Sequence, residues 1–199
     1  MMSESEVSEM IKNPSITAAT RQNFIEAFCQ LSQTEPVTKI TVRELTQRAG
    51  YNRSTFYQYF DDVYDLLTAI EDLVLTQIMQ NLANSFDQGT LAETFVTAFS
   101  QAHATLASYY EVVLTDSDQA RFTKRLKVMI TSWLTTNYQL ATTDTQLMYV
   151  VDFYLSGVIA VIERWIKQQR DLPTTTLAAL IRGMIDDGLA PQLILLKGK

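Results

Sequence analysis

Residues 40–60, ITVRELTQRAGYNRSTFYQYF, decide the reading of this chain, because they spell two short helices joined by a tight glycine turn. Thr41 and Glu44 have the spacing of a capping box: the threonine oxygen accepts from a first-turn amide while the glutamate reaches back to the cap amide. Val42, Leu45 and Ala49 then make one apolar stripe. Gly50 stands where a left-handed residue would end that helix, and Asn52 is placed to cap a second one over 53–60. Phe56 and Phe60, four apart, turn inward on it, which leaves Arg53, Ser54, Tyr57 and Gln58 pointing out. Two helices in this arrangement are a helix-turn-helix, and that outward face is suited to double-stranded DNA.

The rest of the composition permits this. The chain has 199 residues, 47% of them hydrophobic, enough for a real core. A net charge of -6 argues at first sight against nucleic acid, whose affinity is dominated by phosphate contacts. The distribution answers that: between 37 and 60 the charged residues are Lys39, Arg43, Arg48 and Arg53 against Glu44 alone. A basic island on an acidic body lets one face dock on DNA. The single cysteine, Cys29, sits beside Phe28 in an apolar helix, so a disulfide framework and a cysteine-rich metal site are both excluded within one chain. The polar, acidic opening is no signal peptide, and no unbroken apolar run reaches the length of a membrane span. The expected compartment is the cytoplasm, with no membrane partner.

Outward from the motif, the expected fold is all-α. Residues 1–15 read as a disordered tail, and 16–33 as a helix whose Phe24, Ala27, Phe28 and Leu31 support the motif from behind. This gives a three-helix head over 16–61 and, over 62–199, a helical body of about six helices. A linking helix over 62–86 opens the body. Others follow over 91–108, 118–140, 143–170 (capped by Thr142 or Thr143) and 174–189, with a short helical turn after Tyr110. In the helix over 143–170 the apolar residues spread round most of the circumference, so one flank needs a partner chain. A homodimer through the last two long helices is expected, with Tyr154, Gly157, Val158, Val161, Trp165, Leu177, Ile181 and Ile185 at the interface. Gly157 then marks a close helix approach.

Chemistry-bearing residues are few. There is no GxSxG, no phosphate-binding glycine loop and no paired histidines on a helix, so no enzyme, no cofactor, no metal and no catalytic residue is expected. His103 has no partner histidine or cysteine; it is read as a pocket donor or an ordinary helix residue. The cluster Arg121, Lys124, Arg125 and Lys127 reads as a solvated face.

The motifs TVRELTQRAG (41–50), NRSTFYQYF (52–60) and DLL (65–67) resemble the tetracycline-repressor-type (TetR) transcriptional regulators, and 153–169, FYLSGVIAVIERWIKQQ, is similar to their late dimer-forming helix in one branch. The resemblance implies that the second motif helix enters the major groove, with Arg53, Ser54 and Tyr57 as base readers and Thr41, Thr55 and Tyr59 as phosphate contacts. Many members carry a lysine at the start of the fourth helix; here that position is Val63, after Asp61 and Asp62. Either the phosphate grip comes from Lys39, Arg48 and Tyr64, or operator binding is weaker. The resemblance also implies a small, largely apolar effector in the body, for which Phe99, His103, Tyr110, Trp133 and Met148 are candidates. The expected function is a ligand-responsive repressor on a palindromic operator. The alternative is a helical co-regulator or adaptor acting through a partner protein.

Overall fold

The computed structural model describes residues 14–86, 90–115, 119–141, 143–189, 191 and 194. Every regular element among them is helical. Their order is α1 (Pro14–Ser32), a 3-10 turn (Val37–Lys39), α2 (Val42–Ala49), α3 (Arg53–Phe56), α4 (Val63–Ser85), α5 (Leu91–Thr115), α6 (Gln119–Asn137), α7 (Thr145–Lys167), α8 (Thr174–Met184) and a π turn (Ile185–Leu189). Of the tail expected over 1–15, all but the last two positions lie outside the described residues. Pro14 and Ser15 open α1, where a proline's missing N–H goes unused in the first turn.

The chain divides into two compact units, 1–70 and 71–199. The first is built round Phe24, which touches Phe56 edge-on at 5.4 Å, Phe60 at 6.3 Å and Tyr51 at 5.2 Å. Leu45, Phe28, Ile25, Leu66 and Leu67 complete this core. The capping box stands as read: the Glu44 amide donates to Thr41 Oγ1 at 3.3 Å and the Thr41 amide to Glu44 Oε2 at 3.0 Å. Gly50 ends α2 at φ 78°, a left-handed conformation that glycine adopts without strain.

The second unit holds α5 to α8 and most of α4. An aromatic cluster packs at one place in it: Trp133 meets Phe86 at 5.5 Å, Phe95 at 6.2 Å and Tyr138 at 6.2 Å. Four boundaries differ from the sequence reading. α3 closes at Phe56 instead of 60, because the amides of Gln58 and Tyr59 turn to the carbonyls three residues back and tighten the backbone. α5 continues to Thr115 with a bend at Leu106 (φ -128°, ψ 25°) where a helix end at 108 and a separate turn were expected. Asp144 caps α7, its carboxylate accepting from the Leu147 amide at 3.1 Å, in place of Thr142 or Thr143. The last helix loosens into the π turn from Ile185 on.

α7 has 23 residues, and its most apolar 18-residue stretch has mean hydropathy 1.6, so the helix is long and apolar enough by length and composition to cross a membrane. The expectation of no such segment is therefore corrected: the charges at its ends and at Asp152 interrupt the run but leave the average high. Leu147, Val151, Leu155 and Ile159 form one buried stripe along it, and the residues between them are half-buried or exposed.

Candidate nucleic-acid interface and body cavity

Asn52 organises the second motif helix. Its Oδ1 accepts from the Thr55 amide at 2.8 Å, the Ser54 hydroxyl at 2.9 Å and the Thr55 hydroxyl at 3.1 Å. One short side chain thus fixes the first turn of α3 and the rotamers of two neighbours. The consequence is a rigid outward face. Arg53, Ser54 and Gln58 are exposed, and Tyr57 is 57% exposed while its ring leans edge-on against Phe56 at 5.5 Å. Phe56 itself is fully buried, so the inward and outward sets separate as the sequence spacing required. Lys39 and Thr41 are exposed at the start of α2, and Tyr59 is half-buried beside Phe24 at 6.3 Å.

Thr55 is the exception among the expected contacts. It is buried and its hydroxyl serves Asn52, so it positions the helix and does not face outward. Val63 is buried too, and no charged group replaces the lysine there. Of the two aspartates before it, Asp62 is explained by the helix it starts, and Asp61 gives its backbone amide to Asp65. Asp62 Oδ1 accepts from the Tyr64 and Asp65 amides, both at 2.8 Å, and Asp65 Oδ2 accepts from the Asp61 amide at 3.0 Å. Carboxylates held on a helix N-terminus have part of their charge offset by the amide dipoles. Arg48 and Tyr64 remain exposed as further cationic and hydroxyl groups on this unit.

In the second unit a cavity of about 80 Å³ opens between α4, α5, α6 and α7. Its wall is aliphatic and aromatic: Ile78 and Leu82 from α4, Phe95 and Phe99 from α5, Phe122, Leu126 and Ile130 from α6, Leu155 and Ile159 from α7. Tyr110 of α5 also lines it and is 8% exposed. Burial pushes its ionisation well above the usual tyrosine range, so its hydroxyl stays protonated.

Of the five residues expected to hold an effector, Phe99 and Tyr110 line this cavity. Trp133 belongs to the aromatic cluster behind Phe95, and Met148 is half-buried away from the wall. The side chain of His103 lies outside the described residues. The aliphatic wall was missed because Ile, Leu and Phe at helical spacing read the same whether they close a core or leave a gap in it. The one legible hint was the four-residue spacing of Phe122, Leu126 and Ile130.

The residues expected at a dimer interface split into two groups. Trp165, Leu177, Ile181 and Ile185 are buried within their own unit and belong to its core, where α8 packs on α5. Trp165 Nε1 donates to the Leu172 carbonyl at 2.7 Å, which ties it further. Val158 and Val161 are half-buried, and the half-buried Tyr154 ring lies on Gly188 so closely that a Cβ there would strike its hydroxyl. Gly157 is exposed with nothing near it. Around it the surface is apolar: Tyr149 is 75% and Phe153 71% exposed, Ala160 is exposed, and on α8 so are Leu180 and Met184. Only 22% of the most apolar window of α7 is buried, so most of that helix lacks cover.

The basic cluster on α6 is not a wholly solvated face. Arg121 Nη2 meets Glu71 Oε1 at 2.9 Å, Arg125 Nη1 meets Glu71 Oε2 at 2.8 Å, and Arg125 Nη2 meets Asp72 at 2.5 Å. The Glu71 side chain is 2% exposed, those of Arg121 and Arg125 44% and 38%. Two guanidiniums thus clamp a buried carboxylate of α4.

Residues 90–187 match the family model TetR_C_8, described as a transcriptional regulator C-terminal region. The fold is similar to a solved structure from Bacillus halodurans titled as the fatty acid degradation regulator FadR. The TM-score is 0.61 at 16% identity, over 86% of this chain and 96% of that one.

Proposed function

By its C-terminal region this chain is a TetR-type transcriptional regulator, and from that premise we propose that it is a cytoplasmic, DNA-binding repressor that works as a homodimer and lets go of its operator when a small molecule enters the body. The observation that carries the DNA-binding part is the face of Arg53, Ser54, Tyr57 and Gln58 on a helix locked by Asn52, with Lys39, Thr41 and Tyr59 beside it for phosphates. Arginine offers a fork to a guanine edge, serine and glutamine hydrogen-bond bases, and an exposed tyrosine ring packs on a sugar or a thymine methyl. The uncovered strip of Tyr149, Phe153, Gly157, Ala160, Leu180 and Met184 supports a second copy, since a contiguous apolar patch on a soluble chain marks an interface. Two copies supply two recognition helices, and a palindrome with half-sites about 34–36 Å apart suits them.

The adaptor reading rests on Val63 in place of a lysine and on the acidic Asp61 and Asp62 before it; of these, Asp62 is accounted for by the cap of α4, where its carboxylate accepts from the Tyr64 and Asp65 amides. Fluorescence anisotropy with DNA from upstream of the protein's own gene, across a salt series, tests the proposal. Specific binding that weakens steeply with salt is expected, and affinity no different from that for scrambled DNA at every salt concentration refutes it.

A further inference from the structure

We propose that Ser54 reads sequence purely as a hydrogen-bond acceptor, taking a proton from the exocyclic amino group of an adenine or a cytosine in the major groove, because Asn52 has claimed the one hydrogen its hydroxyl can give. The inference deepens the DNA-binding reading above and rests on it: it fixes the chemistry of one base contact on that face.

The polarity follows from Asn52. The side-chain atom that Ser54 meets at 2.9 Å also receives the Thr55 amide at 2.8 Å. A backbone N–H only donates, so that atom is the amide oxygen, and an amide oxygen has no proton to return. Ser54 is therefore the donor in its own bond. A hydroxyl carries one hydrogen and two acceptor lone pairs, so what Ser54 keeps for an outside partner is acceptance. Thr55 makes the same bond at 3.1 Å, but it is buried. Ser54 is exposed, and it precedes the exposed Tyr57 and Gln58 by three and four residues, the spacing that puts side chains on one face of a helix.

Acceptance selects among the groups that DNA offers. Phosphate oxygens, guanine O6 and N7 and thymine O4 all accept, so Ser54 has nothing to give them while the Asn52 bond holds. Adenine N6 and cytosine N4 carry the amino hydrogens of the major groove. Arg53, next to it in the chain, has the opposite character, since a guanidinium only donates. The first turn of α3 thus presents one side chain for acceptor edges and one for amino edges, and the second owes its sign to a neighbour that need not touch DNA at all.

The test uses the full chain on a duplex selected by it from random-sequence DNA. Each adenine of a half-site is replaced in turn by 2-aminopurine, which moves the amino group to the minor groove, and each cytosine by pyrimidin-2-one, which lacks it. Guanine N7 and the phosphate charge are removed in parallel by 7-deazaguanine and methylphosphonate. Anisotropy gives the affinity of the unaltered protein and of Ser54→Ala for every duplex. At one adenine or cytosine, loss of the amino group is expected to weaken the unaltered protein about 2- to 12-fold, the worth of one neutral hydrogen bond, and to leave Ser54→Ala unchanged. Asn52→Gly, a replacement that helix N-termini accept at little cost, frees the serine hydrogen and should shrink that dependence. The inference is overturned if Ser54 couples to a guanine or phosphate replacement instead, if it couples to none, or if Asn52→Gly keeps the full dependence on the amino group. A preferred duplex without the expected coupling leaves the DNA-binding reading standing and removes the inference, whereas a selection that yields no preferred duplex removes both.

Discussion

Replacing Arg121 and Arg125 together by methionine strips both countercharges from a carboxylate that has 2% of its side-chain surface in water. Glu71→Gln removes the charge on the other side. Both changes break the two Glu71 pairs, and the double change also removes the exposed Arg125–Asp72 pair, yet the larger difference in cost lies in what each leaves behind. The glutamine variant leaves two guanidiniums that are already 44% and 38% exposed and turn to solvent, so the loss is that of screened pairs plus an imperfect amide fit, about 1–2 kcal/mol. The double methionine variant leaves a buried anion, for which breaking a buried pair from one side costs about 3–5 kcal/mol. Adding Glu71→Gln to the double variant should then recover part of the stability. Urea unfolding followed by tryptophan emission measures all three, and both tryptophans, Trp133 and Trp165, lie in the unit that contains the clamp. If Glu71→Gln destabilises as much as the double methionine change, the buried carboxylate is not what the arginines neutralise.

Arg53→Ala and Tyr57→Ala should each weaken operator binding by about 1–3 kcal/mol while leaving stability within about 0.5 kcal/mol; Phe56→Ala should cost about 3–5 kcal/mol of folding, and circular dichroism with anisotropy separates the two. Phe153→Glu, on the exposed strip of α7, should give a folded monomer by sedimentation; Ile159→Glu, six residues further along the same helix and on its buried face, should instead unfold the body, and a soluble, folded Ile159→Glu monomer would contradict the assignment of faces. Glu44 is held below the ordinary glutamate range, first by the Thr41 hydroxyl and then by the Thr41 amide. A depressed carboxylate stabilises above its unfolded value and loses that contribution as pH falls through the folded one, so carbon-13 NMR should show Glu44 titrating below a solvent-exposed glutamate, and Thr41→Ala, which removes the hydroxyl and keeps the amide, should bring it part of the way back.

The head was legible because its signals are local. Thr41 with Glu44, Gly50 and Asn52 each fix backbone geometry within four residues, and the structure realises all of them. The length of α3 was not legible, since inward Phe60 fits a continued helix and a tightened turn equally well. In the body the sequence carries helix existence and apolar faces but not which face meets which neighbour. Trp165 and Leu177 have the same composition signal as Phe153 and Leu180, and only the packing of four helices assigns the first pair to the core and the second to the surface. Glu71 shows the same limit for charge: fifty residues separate it from Arg121, and no local rule pairs them.

α6 presents Phe122, Leu126 and Ile130 to the cavity and Arg121 and Arg125 to Glu71 and Asp72 of α4. Mechanically, this helix has no private degree of freedom. A translation of α6 that enlarges the cavity must therefore stretch short charged contacts or carry residues 71 and 72 with it. Charged contacts of this length are directional where greasy ones slide, so the apolar and charged faces of α6 answer to the same stretch of α4.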